Sequence, residues 1–342
     1  MLIPMLCLTC LSLSAVAHAA TLIVANKSEA TVSLVALPEG KVVATLPVGT
    51  GPHEVAVSPK GGLALIANYG GPGPDGAGST LTLIDVPGAK VLKTINLGEY
   101  HRPHGMVFLD ERRALVTSEA SKALLEVDVE AGKVTAAVPT GQEVSHMVAV
   151  LPDGSRAFVA NIKSGSVSAI DLKEKKHLKD IPTGDGAEGI AVTPDGKQVW
   201  VANRAADTVT VIDTASLQVL GSQPSAAFPI RAEATPDGKR VLVSNAKSGD
   251  LSVFATADRT LERRLPLELA AKQTDGRMMG DFGNSSVPIG IEIAPDGKRA
   301  YVAHANADQI SIVDLEAWKK VGSLTAGKEP DGMGYSKLDV KK

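Results

Sequence analysis

Residues 156–197 and 198–239 are two copies of one unit, RAFVANIKSGSVSAIDLKEKKHLKDIPTGDGAEGIAVTPDGK and QVWVANRAADTVTVIDTASLQVLGSQPSAAFPIRAEATPDGK. They share VAN, then V-S/T-x-I-D, then TPDGK. A fixed period of about forty residues is the mark of a solenoid or propeller. In the second copy QVWVAN, TVTVID, LQVLGS and IRAEAT are short β-rich runs separated by turn residues. In the closing PDGK, Pro236 presets φ and Gly238 supplies a positive φ. Four short strands with no helix between them make a propeller blade rather than a βαβ unit.

The unit lays over the rest of the chain. Second strands end at Asn26, Asn68, Ser118, Asn161, Asn203, Asn245 and His304, and inner strands open at His53, His104, His146, Glu188, Ile230, Ile289 and Asp331. Both series have seven members, which predicts an all-β, seven-bladed β-propeller of four-stranded antiparallel blades. Residue 21 opens a second strand and the last repeat element, DGMGYSKL, is a first strand. The C-terminal strand should therefore pair with the three N-terminal strands and close the ring, leaving no free edge at the seam.

The V-x-N, V-x-x-I-D and P-D-G-K elements resemble the YVTN family of β-propeller repeats and, within it, the YncE-like periplasmic and surface-layer propellers. The resemblance runs from Thr21 to about Leu338. It implies the fold and leaves the function open, because related propellers bind ligands, cleave lactones, carry cofactors or only scaffold.

Residues 1–20, MLIPMLCLTCLSLSAVAHAA, carry no charge, and Ala17-His18-Ala19 fits the small-x-small cleavage rule. We expect a signal peptide over residues 1–19, a single propeller domain over 20–342, and a periplasmic or secreted protein. No Lys or Arg precedes the apolar stretch, a departure from the usual signal. Both cysteines, Cys7 and Cys10, fall inside it, so the mature chain would have neither a disulfide nor a thiolate metal site. No membrane span is expected, and the protein should be a monomer. The net charge of −3 and 3% aromatic content argue against nucleic acid, which asks for a basic groove and stacking rings.

Two insertions break the period: YGGPGPDGAGS at residues 69–79 and the segment 266–288. Both belong to connections on the face where inner strands begin, so they should form mobile lids over a shared site. On that face His53, His104, His146 and Glu188 fill one slot in four consecutive blades, with Asp331 beside His53 across the seam. Three imidazoles that converge with an open position are a transition-metal donor set, favouring Zn or Cu over the oxygen-seeking Ca. His304 replaces the repeated Asn near Asp331 and would be a further imidazole ligand. Tyr69, His101, Arg204 and Arg231 are candidates to bind a small-molecule or peptide ligand at the same mouth. The repeated asparagines, and Asp85, Asp128, Asp171, Asp213 and Asp314 at third-strand ends, should serve their own turns.

The expected function is that of an exported propeller with a divalent metal at the top of its channel. Such a protein would be a metal binder or a metalloenzyme, with lyase, lactonase-like hydrolase and oxidoreductase chemistry all open. The alternatives are a metal-free His/Glu acid–base site, or a scaffold holding a peptide, cell-wall fragment or single-stranded nucleic acid. No GxSxG, CxxCH or phosphate-binding glycine loop is present.

Overall fold

The computed structural model describes residues 20–73, 76–272, 277 and 282–341. The expected signal segment, and parts of both insertions (74–75, 273–276 and 278–281), lie outside the described residues. Twenty-eight strands, numbered β1 to β28 along the chain, form seven four-stranded antiparallel sheets and no α-helix among the described residues. Each blade is a meander, as the short alternating runs and tight turns require.

The seam closes as the repeat register predicts. β28 (Pro330–Ser336) pairs antiparallel with β1 (Ala20–Asn26), which continues to β2 (Thr31–Leu37) and β3 (Lys41–Pro47). The ring of inner strands is β28, β4 (Pro52–Val57), β8 (Pro103–Phe108), β12 (Ser145–Val150), β16 (Ala187–Val192), β20 (Pro229–Ala234) and β24 (Pro288–Ile293), each packed on the next. Apolar clusters bridge neighbouring blades: Leu65, Leu81 and Leu83 of one meet Val116, Leu125 and Val127 of the next, all buried. Outer strands carry the exposed apolar side chains, such as Val43 and Leu220.

Two features of the inner strands build the axis. The first is an irregularity at the second and third residues: between Pro52↔Asn68 and Val55↔Ile66, for example, two residues of β4 oppose one. The same shift recurs in each of the other inner strands. Such a bulge bends the strand and re-aims its side chains. The second is glycine at the third position of four inner strands. A Cβ on Gly105, Gly189, Gly290 or Gly332 would run into the backbone of His146, Ile230 and Arg231, Asp331, or His53 of the following blade. The missing side chain is what lets the blades close to their observed spacing.

The repeated asparagines are structural, as expected. Asn26, Asn68, Asn161 and Asn203 each donate from Nδ2 to two hydroxyls on the next strand, and Asn245 donates to Asp250 and Ser252. Asp85, Asp171, Asp213 and Asp314 accept from backbone N–H groups of their own turns.

Candidate functional site

The second residues of the seven inner strands are His53, His104, His146, Glu188, Ile230, Ile289 and Asp331, so the aligned series sits one residue inside each strand rather than at its first residue. All seven line one chamber of about 130 Å³ on the axis. A second ring comes from the residue that follows each second strand's final Asn, Ser or His: Lys27, Tyr69, Glu119, Ile162, Arg204, Ala246 and Ala305. Lys27, Tyr69 and Arg204 of that ring also line the chamber. One sector is apolar, where Ile230, Ala246, Val287, Ile289 and Ala305 pack with Phe228 and Phe282.

The polar sector holds the chemistry. His104 and His146 lie against each other, tilted by 33° with ring centroids 3.6 Å apart, and His53 stacks on Tyr69 at 4.3 Å. His104, His146 and Glu119 bring one ligand atom each within 4.8 Å of one another, and all three are buried. This compact group has Glu119 where the sequence reading places His53, whose ring stands 5.2 Å from that of His104. His53 Nδ1 lies 2.7 Å from the Gly51 carbonyl, which can only accept. The proton therefore sits on Nδ1 and Nε2 keeps its lone pair, the orientation of a metal-binding imidazole.

His146 bonds through Nδ1 to Glu119, whose other oxygen accepts from the Tyr69 hydroxyl at 2.6 Å. Glu188 Oε1 stands 3.1 Å from His146 Nε2 but outside hydrogen-bond geometry, so that nitrogen has no hydrogen-bond partner. His104 Nδ1 is also unpartnered, 3.9 Å from Glu54 Oε1. Buried polar groups are normally satisfied, so the unpartnered His104 nitrogen on the chamber wall asks for a ligand.

Charges around the chamber are interlocked. Arg231 reaches across the axis to Glu54, and its Nη1 lies 3.4 Å from Glu188 and its Nη2 3.9 Å from Asp331. Lys27 pairs with Asp331 at 3.0 Å and Arg204 with Glu188 at 2.5 Å. Burial, then Lys27 for His53 and the neighbouring imidazoles for His104, hold both rings neutral well below the ordinary histidine range. Burial also opposes charge on His146, but Glu119 and Glu188 overcome it and raise its pKa. Against its own burial, Glu188 is drawn down to about 2 by His146, Arg204 and Arg231.

Of the remaining candidates, Glu188, Asp331, Arg204, Arg231 and Tyr69 all reach the chamber. His304 does not line it. Fully buried, it bonds through Nδ1 to Ser286 (2.8 Å) and through Nε2 to Ser311 (2.9 Å), doing in its blade what asparagine does in the others. Burial takes its pKa down to about 3. His101 is exposed and lends its carbonyl to Ser118 Oγ. The residues that motif reading passes over are Glu119, Lys27 and Glu54. The first two share the repeat slot of Tyr69 and Arg204, which was the available signal. Glu54 stands where four other blades have glycine.

Both insertions reach the chamber's rim. Tyr69 opens the first, which Arg102 ties down through the Gly71 carbonyl at 2.8 Å. Phe282 of the second packs edge-on against Phe228, over which the Arg204 guanidinium lies.

Fold and site together define a β-propeller with a chamber on its axis that is polar over most of its wall. Residues 110–225 match the family model described as a YNCE-like beta-propeller, which bears out the YncE-like reading of the repeats. Comparison with curated proteins gave no match. Among solved structures the chain is similar to hydrazine synthase from Kuenenia stuttgartiensis (21% identity, 83% of this chain and 90% of that one, TM-score 0.68). It is also similar to a functionally unknown protein from Desulfotomaculum acetoxidans DSM 771 (13% identity, 94% and 99%, TM-score 0.75). At these identities the likeness is one of fold.

Proposed function

We propose that the chain is a metal-binding propeller, taking one divalent transition-metal ion on its axis through His104, His146 and Glu119. The observation that carries this reading is the compact buried group of three donors, whose ligand atoms lie within 4.8 Å of one another. Two imidazoles and a carboxylate suit Zn or Cu, and three protein ligands leave a position open for a small ligand. His53, with its free Nε2, and Glu188, beside His146, stand where they would complete or orient the coordination. Tyr69 holds Glu119 through its hydroxyl. We propose also that residues 1–19 direct export and that the mature chain works in the periplasm or outside the cell.

One observation favours a second reading. His146 lies between two carboxylates that raise its pKa, next to a neutral His104, an arrangement suited to metal-free proton transfer. Elemental analysis of protein purified without chelator, followed by calorimetric titration of stripped protein with Zn and Cu, separates the two. One ion per chain, lost in His104→Ala and His146→Ala, is the expected result. Titration with no uptake of either metal would leave the acid–base reading.

A further inference from the structure

Below the Arg231–Glu54 bridge the axis widens into a second chamber of about 330 Å³, which runs to the C-terminal ends of the inner strands on the opposite face. Hydrocarbon and thioether share its wall with polar surface, Met106, Met147, Met333 and Ile291 being among the lining residues. Into this wall β20 and β24 set two carboxylates, Glu233 and Glu292, each at the fifth residue of its strand. At that place β4, β8, β12 and β16 carry Ala56, Val107, Ala149 and Ala191. Among the described residues neither carboxylate has a cation within ion-pair distance. The other charged residues of the lining, Glu54 and Arg231, are engaged with each other.

A second observation is independent of the acidic pair. Arg231 is only 6% exposed, lines this chamber as well as the upper one, and leaves its Nε–H without an acceptor. The chamber thus offers two carboxylates without a cation, a buried arginine in its lining with one donor to spare, and the aliphatic and thioether groups of its wall. We propose that the lower chamber is a second binding site, for an aliphatic ammonium compound with a hydrogen-bond acceptor close to its nitrogen, as in an α-amino amide. The ammonium would sit between Glu233 and Glu292, its carbonyl oxygen on Arg231 Nε–H, and its aliphatic body against the methionines, whose unbranched chains adapt to irregular shapes.

Charge and volume agree with this class. Burial pushes the Glu233 carboxyl up to about 7. Burial and then the Glu233 charge push Glu292 well above its ordinary value. The two carboxyls therefore resist ionising together, and the pair is the complement of a monocation rather than of a dication. A divalent hard cation would need six to eight oxygen ligands, which this wall does not supply. A cavity of about 150 Å³ accommodates benzene, so twice that volume accommodates a molecule the size of leucinamide.

The test is calorimetric titration of the full-length protein with leucinamide at pH 7.5, beside isovaleramide, which lacks the ammonium, and isoamylamine, which lacks the acceptor. Leucinamide should bind, isoamylamine several-fold more weakly, and isovaleramide not measurably. Glu233→Gln and the pair Glu233→Gln/Glu292→Gln should each weaken leucinamide at least tenfold, whereas His104→Ala/His146→Ala should leave it unchanged. Removing half-buried carboxylates that have no cation partner should cost little stability, so both variants are expected to fold. The single variant keeps the test open should the double one fail to. Absence of leucinamide binding at millimolar concentration, equal binding of isovaleramide, or retention within twofold by a folded Glu233→Gln variant would each overturn the proposal.

Discussion

Replacing Arg231 with leucine removes a side chain that spans the channel. Its partners come from three other blades: Glu54, Glu188 and Asp331, with side-chain exposures of 9%, 4% and 3%. The loss falls unequally. Glu188 keeps Arg204 and His146, and Asp331 keeps Lys27, but Glu54 loses the cation that opposes its burial. Stripping the partner from a buried ion pair costs about 3–5 kcal/mol. Part of that cost is relieved here, because burial already raises the Glu54 pKa and the carboxyl can take up a proton. A fall in melting temperature on the order of 10 °C is expected near pH 7.5. The deficit should shrink as pH falls and Glu54 protonates. Glu54→Gln in the Arg231→Leu background should restore about 1–3 kcal/mol, the range of coupling between contacting residues. Thermal unfolding of the four proteins of this cycle by circular dichroism, at pH 7.5 and 5.5, measures each quantity. An Arg231→Leu variant melting within 2 °C of the parent, or a double variant no more stable than Arg231→Leu alone, would refute the bridge as a structural element.

The two classes of histidine should separate in an NMR titration of metal-stripped protein. His146 has its pKa raised, so its stabilising contribution is complete below the unfolded value of about 6.5 and is lost as pH rises through the folded value. His53 and His104 have theirs lowered, so they favour the fold above about 6.5 and that contribution falls away as pH drops below it. All three rings titrating together near 6.5 would contradict the buried network. Glu188, drawn down to about 2, contributes fully above its unfolded value of about 4.5 and loses that contribution as pH falls toward 2. Glu188→Gln should therefore flatten the acid limb of the stability curve, and an unchanged limb counts against its buried pairing. Gly290→Ala places a Cβ inside the Asp331 carbonyl and should cost about 1–3 kcal/mol in a denaturant melt, where a neutral effect would show that blade spacing does not depend on that glycine.

The fold was legible because every blade repeats the same local instructions, and seven misreadings would have been needed to lose the ring. The seam was legible for the same reason: the chain starts and stops one strand out of phase. The site was legible only where it shares the repeat. His53, His104, His146, Glu188 and Asp331 fill one slot, so their convergence followed from counting. Glu119 was missed because it lies one residue past Ser118, in one of the two blades that lack the usual Asn, and a lone glutamate at a strand end looks like a solvated turn. His304 was misjudged because residue type outweighed slot: it stands in the asparagine position and takes up the asparagine's hydrogen bonds. The Arg231–Glu54 bridge joins residues 177 apart in sequence, on opposite sides of a ring, and only closure of the disc brings them together.

The most direct test of the central claim is the metal stoichiometry and affinity of the metal-stripped wild-type protein beside His104→Ala, His146→Ala and Glu119→Ala. Titration with Zn at pH 7.5 should give one site per chain in the wild type. Each variant should bind at least tenfold more weakly with its circular dichroism spectrum unchanged, and wild-type affinity should fall as pH drops below about 6.5, where protons compete for the imidazoles. Stoichiometric metal held with wild-type affinity by folded His104→Ala and His146→Ala variants, or no uptake by the wild type, would contradict the account.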